Sequence, residues 1–93
     1  MGSPKKRDRL QVIYDLLSII RQHHNSIKPT PLLRYANLST QRFSEYVDEL
    51  LRKEFIKEML DAKKRKYYTL TDKGFRYLER YAMITGFIDD FNL

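Results

Sequence analysis

The segment from Ala36 to Leu78 constrains this chain most, because its hydrophobic period changes twice within one short stretch. Phe43, Tyr46, Val47, Leu50 and Leu51 recur at the three-and-four spacing of a helix, then give way to two short apolar runs around a basic turn. Helical spacing returns with Phe75 and Leu78. The order predicts a helix over about 39–53, a hairpin over about 55–70 and a last helix over about 71–91. Ser39 or Thr40 can cap the first helix, and Thr71 the last, with Asp72 in its positive first turn. In the hairpin, Phe55, Ile56, Met59 and Leu60 form the outgoing strand, Asp61 to Arg65 the turn, and Tyr67 to Leu70 the return.

Upstream, residues from about Asp8 to His24 put Leu10, Ile13, Tyr14, Leu17 and Ile20 on one helical face, which Val12, Leu16 and Ile19 widen. Such breadth asks for cover from the last helix or from a second subunit. Asn25 and Ser26 break the pattern. Thr30 as a cap with Pro31 in the first turn starts a short helix carrying Leu32, Leu33 and Tyr35, and Asn37 suits a left-handed turn after it. These elements in this order make an α+β, mostly helical winged helix-turn-helix, one domain over 8–93 after a flexible basic leader at 1–7. On the last helix, Phe75, Leu78, Tyr81, Ala82, Thr85 and Ile88 are expected to face the domain. A second stripe of Tyr77, Ile84, Phe87 and Phe91 is left over, so a homodimer surface is expected from Tyr77, Tyr81, Ile84, Phe87, Ile88 and Phe91.

Charge then narrows the partners. With 18 Lys and Arg against 12 Asp and Glu in 93 residues, the net charge of +6 favours a partner dense in phosphate, although membrane surfaces and acidic proteins attract such a chain too. There is no cysteine, hence no disulfide and no cysteine-bound zinc. Without a long apolar run or a secretory signal, the expectation is a soluble, cytoplasmic, nucleoid-associated protein. Lys63, Lys64, Arg65 and Lys66 crowd one turn, and double-stranded DNA would relieve their repulsion; the plainer alternative is a solvated hairpin tip. Lys5, Lys6, Arg7 and Arg9 could form an arm on the backbone or in the minor groove, or simply a solubilising tail.

The third helix presents Thr40, Gln41, Arg42 and Ser44 in its first turns, the part of a recognition helix that reaches base edges. Gln41 can pair with adenine, Arg42 with guanine, and Glu45 can accept from cytosine. Asp48 and Glu49 would lie further out. A charge-balanced solvated face is the competing reading. Tyr67, beside the basic turn, is a further candidate for a phosphate contact. The seven tyrosines and five phenylalanines fit core and interface packing better than stacking on single-stranded bases.

Other chemistry is poorly supported. His23 and His24 point about 100° apart on a helix and read as a frayed end, not a metal site. No glycine-rich phosphate loop and no nucleophile or acid-base arrangement is recognisable, so a non-enzymatic protein without cofactor or effector pocket is expected.

Several runs resemble a known family. Tyr35-Ala36-Asn37-Leu38-Ser39, Tyr46 with Val47 and Leu50, Phe55-Ile56, and Tyr68-Thr69-Leu70-Thr71-Asp72-Lys73-Gly74 are similar to the small archaeal winged-helix transcriptional regulators, which include the ten-kilodalton archaeal chromatin proteins. The resemblance covers roughly Leu10 to Leu78. It implies DNA binding and dimerisation through the last helix. Glu54 stands where that family commonly has glycine, so either the recognition helix ends differently or Glu54 holds a strained backbone. Taken together, the residues and the resemblance suggest a homodimeric transcriptional regulator on double-stranded DNA, its recognition helices reading half-sites about one helical turn apart. An architectural chromatin protein and a protein-interaction module are the alternatives.

Overall fold

In the computed structural model, which describes residues 8–93, capping chemistry sets most of the element boundaries. Helix α1 (Arg9–Gln22) starts where the Asp8 carboxylate accepts the Gln11 backbone N–H at 2.8 Å. Helix α2 (Pro29–Ala36) begins earlier than Thr30 as a cap would have it. Lys28 is the N-cap, held extended by the proline that follows, and Pro29 takes the first helical position, where its missing N–H costs nothing. Asn37 closes α2 in the left-handed region, as its side chain suggests. The Ser39 hydroxyl accepts from Arg42 N–H and starts α3 (Thr40–Arg52).

Strands β1 (Ile56–Leu60) and β2 (Lys66–Leu70) pair antiparallel, Ile56 opposite Leu70 and Leu60 opposite Lys66. Phe55 lies before the strand instead of inside it, and its ring packs edge-on against Tyr77 at 5.5 Å. Ile27 adds a short third partner. It exchanges backbone hydrogen bonds with Tyr68, and the neighbouring Asn25 side chain accepts Leu70 N–H at 2.6 Å. Helix α4 (Asp72–Asp90) follows at once, with the Thr71 hydroxyl accepting Gly74 N–H.

The core gathers on α1, whose Val12, Ile13, Leu16, Leu17 and Ile20 meet Ile27, Leu32, Phe43, Val47, Leu50, Ile56, Leu70 and Leu78. Burying a side chain of this size is worth about 1.5–3 kcal/mol, so the breadth of α1 is explained largely within one chain. His23 and His24 do not fray. The His23 N–H bonds to the Ile19 and Ile20 carbonyls, its ring Nδ1 lies 2.8 Å from Ile19 O, and His24 and Asn25 turn the chain in the left-handed region.

Helix α4 is rotated from the expected orientation. Gly74, Tyr77, Leu78, Tyr81 and Thr85 face the domain, whereas Phe75, Ala82 and Ile88, expected to face it, are exposed. The rotation is fixed at Gly74, packed so closely on the Phe55 carbonyl that a Cβ there would lie 2.3 Å from its oxygen. Among the described residues, no helix is long and apolar enough to cross a membrane.

Candidate nucleic-acid interface

The Leu70-Thr71-Asp72-Lys73-Gly74 run holds the end of α3 in place. Thr71 Oγ1 donates to the Glu54 carbonyl at 2.6 Å, and Lys73 Nζ donates to the Lys53 carbonyl at 2.7 Å while lying over the Phe55 ring. Between these clamps Glu54 sits at φ 62°, the conformation glycine would adopt more cheaply. The position is thus a glycine-like turn without the glycine.

Helix α3 then offers three stripes. One, Thr40, Ser44 and Asp48, borders a cleft of about 330 Å³ whose other walls include Pro29 and Thr30 of α2 and Glu58, Lys66 and Tyr68 of the hairpin. Burial pushes the Tyr68 phenol above its ordinary pKa, and the Glu58 and Asp48 carboxylates add to the shift. The crest carries Gln41 and Glu45, joined by a long hydrogen bond of 3.4 Å, with Arg52 beyond. The third stripe turns toward α1. There the Arg42 guanidinium lies over the Tyr46 ring, 5.7 Å from its centroid, and the Glu49 carboxylate pairs with both Arg9 and Lys53. Of the expected base-reading residues, Thr40, Gln41 and Ser44 therefore look outward, while Arg42 leans to the flank.

The hairpin turn is built around one carboxylate. Asp61 accepts the backbone N–H groups of Lys63 and Arg65, each at 2.8 Å, and the Arg65 guanidinium at 3.0 Å; Lys28 Nζ stands 4.0 Å away. The Arg65 N–H leads these in holding the Asp61 carboxyl below the usual carboxylate range. Lys66 pairs with Glu58 across the strands at 3.6 Å. Lys63 and Lys64 are left without an ion pair among the described residues, Lys64 at φ 62° at the end of the turn. The four clustered cations thus divide into two that are internally compensated and two that face outward. Lys5, Lys6 and Arg7 lie outside the described residues; Arg9, the fourth residue of the expected arm, is the first residue of α1.

The expected dimer surface divides as well. Tyr77 Oη donates to Leu10 O at 2.7 Å, Tyr81 Oη to Gln11 Oε1 at 2.9 Å, and the Tyr81 ring stacks on Tyr14 at 4.7 Å. Burial raises both phenols, that of Tyr77 to about 12. Both tyrosines are thus engaged with α1 of their own chain. Ile84, Phe87 and Phe91 are more than half exposed and Ile88 somewhat less, with the Phe87 and Phe91 rings 4.8 Å apart. Sequence reasoning missed the Glu49 junction, since ion pairing between α1 and α3 leaves no periodic signal, and the Asp61 hub, whose only signal is an aspartate two and four residues before the N–H groups it accepts.

A helical triad with a strand pair folded against its third helix and a long closing helix defines the winged helix-turn-helix class. The chain belongs to that family, whose profile matches residues 6–88. Among solved structures it is similar in fold to Sso10a-2, a DNA-binding protein from Sulfolobus solfataricus, with a TM-score of 0.74 and 17% identity, covering 92% of this chain and 86% of that one. A comparison with curated protein sequences finds no match.

Proposed function

We propose that this protein binds double-stranded DNA as a homodimeric transcriptional regulator, with the amino-terminal half of α3 in the major groove and the hairpin as a wing on the backbone. The observation that carries the proposal is the pair Lys63 and Lys64, without an ion pair among the described residues and held at the tip of a turn that Asp61 pre-forms. A rigid cationic loop binds phosphates with little ordering cost, and each phosphate neutralised releases counterions. Thr40, Gln41 and Ser44 supply the outward polar groups for bases. The DNA-binding character of Sso10a-2, which shares the fold, supports the same reading. For the dimer, the support is the exposed Ile84, Phe87, Ile88 and Phe91 stripe, an apolar run that a second copy would cover.

The sparse base-reading chemistry of α3, with Gln41 tied to Glu45, favours as second reading an architectural protein of low sequence preference. Retention of a random duplex pool at two salt concentrations, followed by sequencing, separates the two. A palindromic motif is expected for the regulator, and salt-sensitive retention without a motif for the architectural protein. Retention that survives Lys63→Ala/Lys64→Ala unchanged, or no retention at low salt, overturns both and leaves an interaction module. Sedimentation tests the dimer: Phe87→Asp/Phe91→Asp should be monomeric, and a dimer in that variant removes α4 as the interface.

A further inference from the structure

The flank of α3 opposite the wing carries a second cationic feature that the winged-helix reading leaves unused. Arg9, the first residue of α1, reaches across to α3 and pairs with Glu49, whose side chain is only 15% exposed and shares its Oε2 with Lys53 Nζ. One carboxylate therefore holds two cations. Beside it Arg42 lies over Tyr46, and Arg9, Arg42, Glu45, Tyr46 and Glu49 together line a cleft of about 200 Å³. Counting Lys53, three cations meet two carboxylates on this flank, a net charge of +1. A guanidinium has five N–H donors, so pairing with Glu49 leaves Arg9 with donors to spare. Its side chain is about half exposed, which keeps them accessible.

The geometry of a duplex says what such a cleft would meet. A helix about 10–12 Å across fills a major groove about 12 Å wide, so phosphates wall it on both sides. The wing can serve one wall only. Resting on the proposed duplex binding, we infer that the Arg9–Arg42 cleft is a seat for backbone phosphates on the other wall. In this arrangement Arg42 contacts backbone instead of guanine. Glu49 does not confront the DNA as a bare charge, because Arg9 and Lys53 take up its carboxylate. The net acidity of α3, unfavourable to DNA when its residues are counted alone, is thereby offset from α1.

The test is duplex binding by the full chain over a salt series, for wild type, Arg9→Ala, Arg9→Lys, Arg42→Ala and Lys63→Ala/Lys64→Ala, with ethylation interference on each complex. Arg9→Ala and Arg42→Ala should each flatten the slope of log affinity against log salt by about 0.9, the value for one phosphate contact. Arg9→Lys should restore the slope, and the selected sequence should not change. Ethylation should show two phosphate patches in the wild type, with only the one remote from the wing fading in Arg9→Ala. Folded Arg9→Ala and Arg42→Ala proteins that keep the wild-type slope and both patches, while the wing variant loses its own, overturn the phosphate seat and leave duplex binding standing. A wild type without salt-dependent duplex binding overturns the functional reading, and this inference with it.

Discussion

The two halves of α4 are made of similar residues and do opposite things. In the first half, Gly74, Tyr77, Leu78 and Tyr81 join the domain: Leu78 is almost fully buried, and both tyrosines hydrogen-bond to α1. In the second half, Met83, Ile84 and Phe87 are bare, as is Phe91 just past the helix end. Apolar character alone therefore does not mark a core residue. What separates the halves is distance from the anchor at Phe55, beyond which the helix runs past the edge of the domain.

That contrast can be broken at five places. The largest effect is expected for Leu78→Ala, which opens a cavity in the closed half and should lower unfolding free energy by about 2–5 kcal/mol. Phe87→Ala in the same chemical unfolding, at a concentration where the chain is monomeric, should change it by less than about 0.5 kcal/mol. Equal losses would mean that the outer half packs on its own domain after all. Next comes Gly74→Ala, where the new methyl meets the Phe55 carbonyl oxygen, itself held by Thr71 N–H and Oγ1. Overpacking of this kind costs about 1–3 kcal/mol, and a thermal midpoint at or above wild type would show that the close approach is dispensable.

The same substitution at Gly86 should act in the other direction. A Cβ there meets nothing within 4 Å, so Gly86→Ala is expected to add about 0.5–1 kcal/mol of helix stability. A loss at Gly86 would reveal a close neighbour, such as a second copy of the helix. Smallest, and confined to alkaline solution, is the titration of Tyr77. Its phenol has a folded pKa of about 12, above the ordinary value near 10, because burial and then the neighbouring Tyr81 disfavour the phenolate. A raised pKa means that stability from the neutral phenol is fully present below pH 10 and is lost as pH climbs toward 12. The urea midpoint should fall between pH 9 and pH 11, and should fall less in Tyr77→Phe; parallel declines would locate the alkaline sensitivity elsewhere.

Much of the fold could be read from local chemistry. Ser39, Thr71 and Asn37 behave as their side chains require, and the hairpin sits where the hydrophobic period changes from helix to strand. The site was less legible. Asp61 reads as an ordinary turn residue until its carboxylate is seen to collect three hydrogen bonds, and Arg9 reads as part of a possible basic arm until it meets Glu49. The start of α2 was misplaced because two prolines compete for its first turn, and a proline at the first position needs no side-chain cap.

The sequence by itself determined the element order, the caps at Ser39 and Thr71, the clustering of cations in one turn and the presence of spare apolar surface on the last helix. These depend on neighbours within a few residues, where side-chain period and capping act. Only the tertiary structure decided the rotation of α4, the backbone bridge between Ile27 and Tyr68, the strained backbone at Glu54 and the pairing of Arg9 with Glu49. Those outcomes depend on contacts between residues tens of positions apart, such as the one between Gly74 and Phe55 O, which pattern along the chain does not encode.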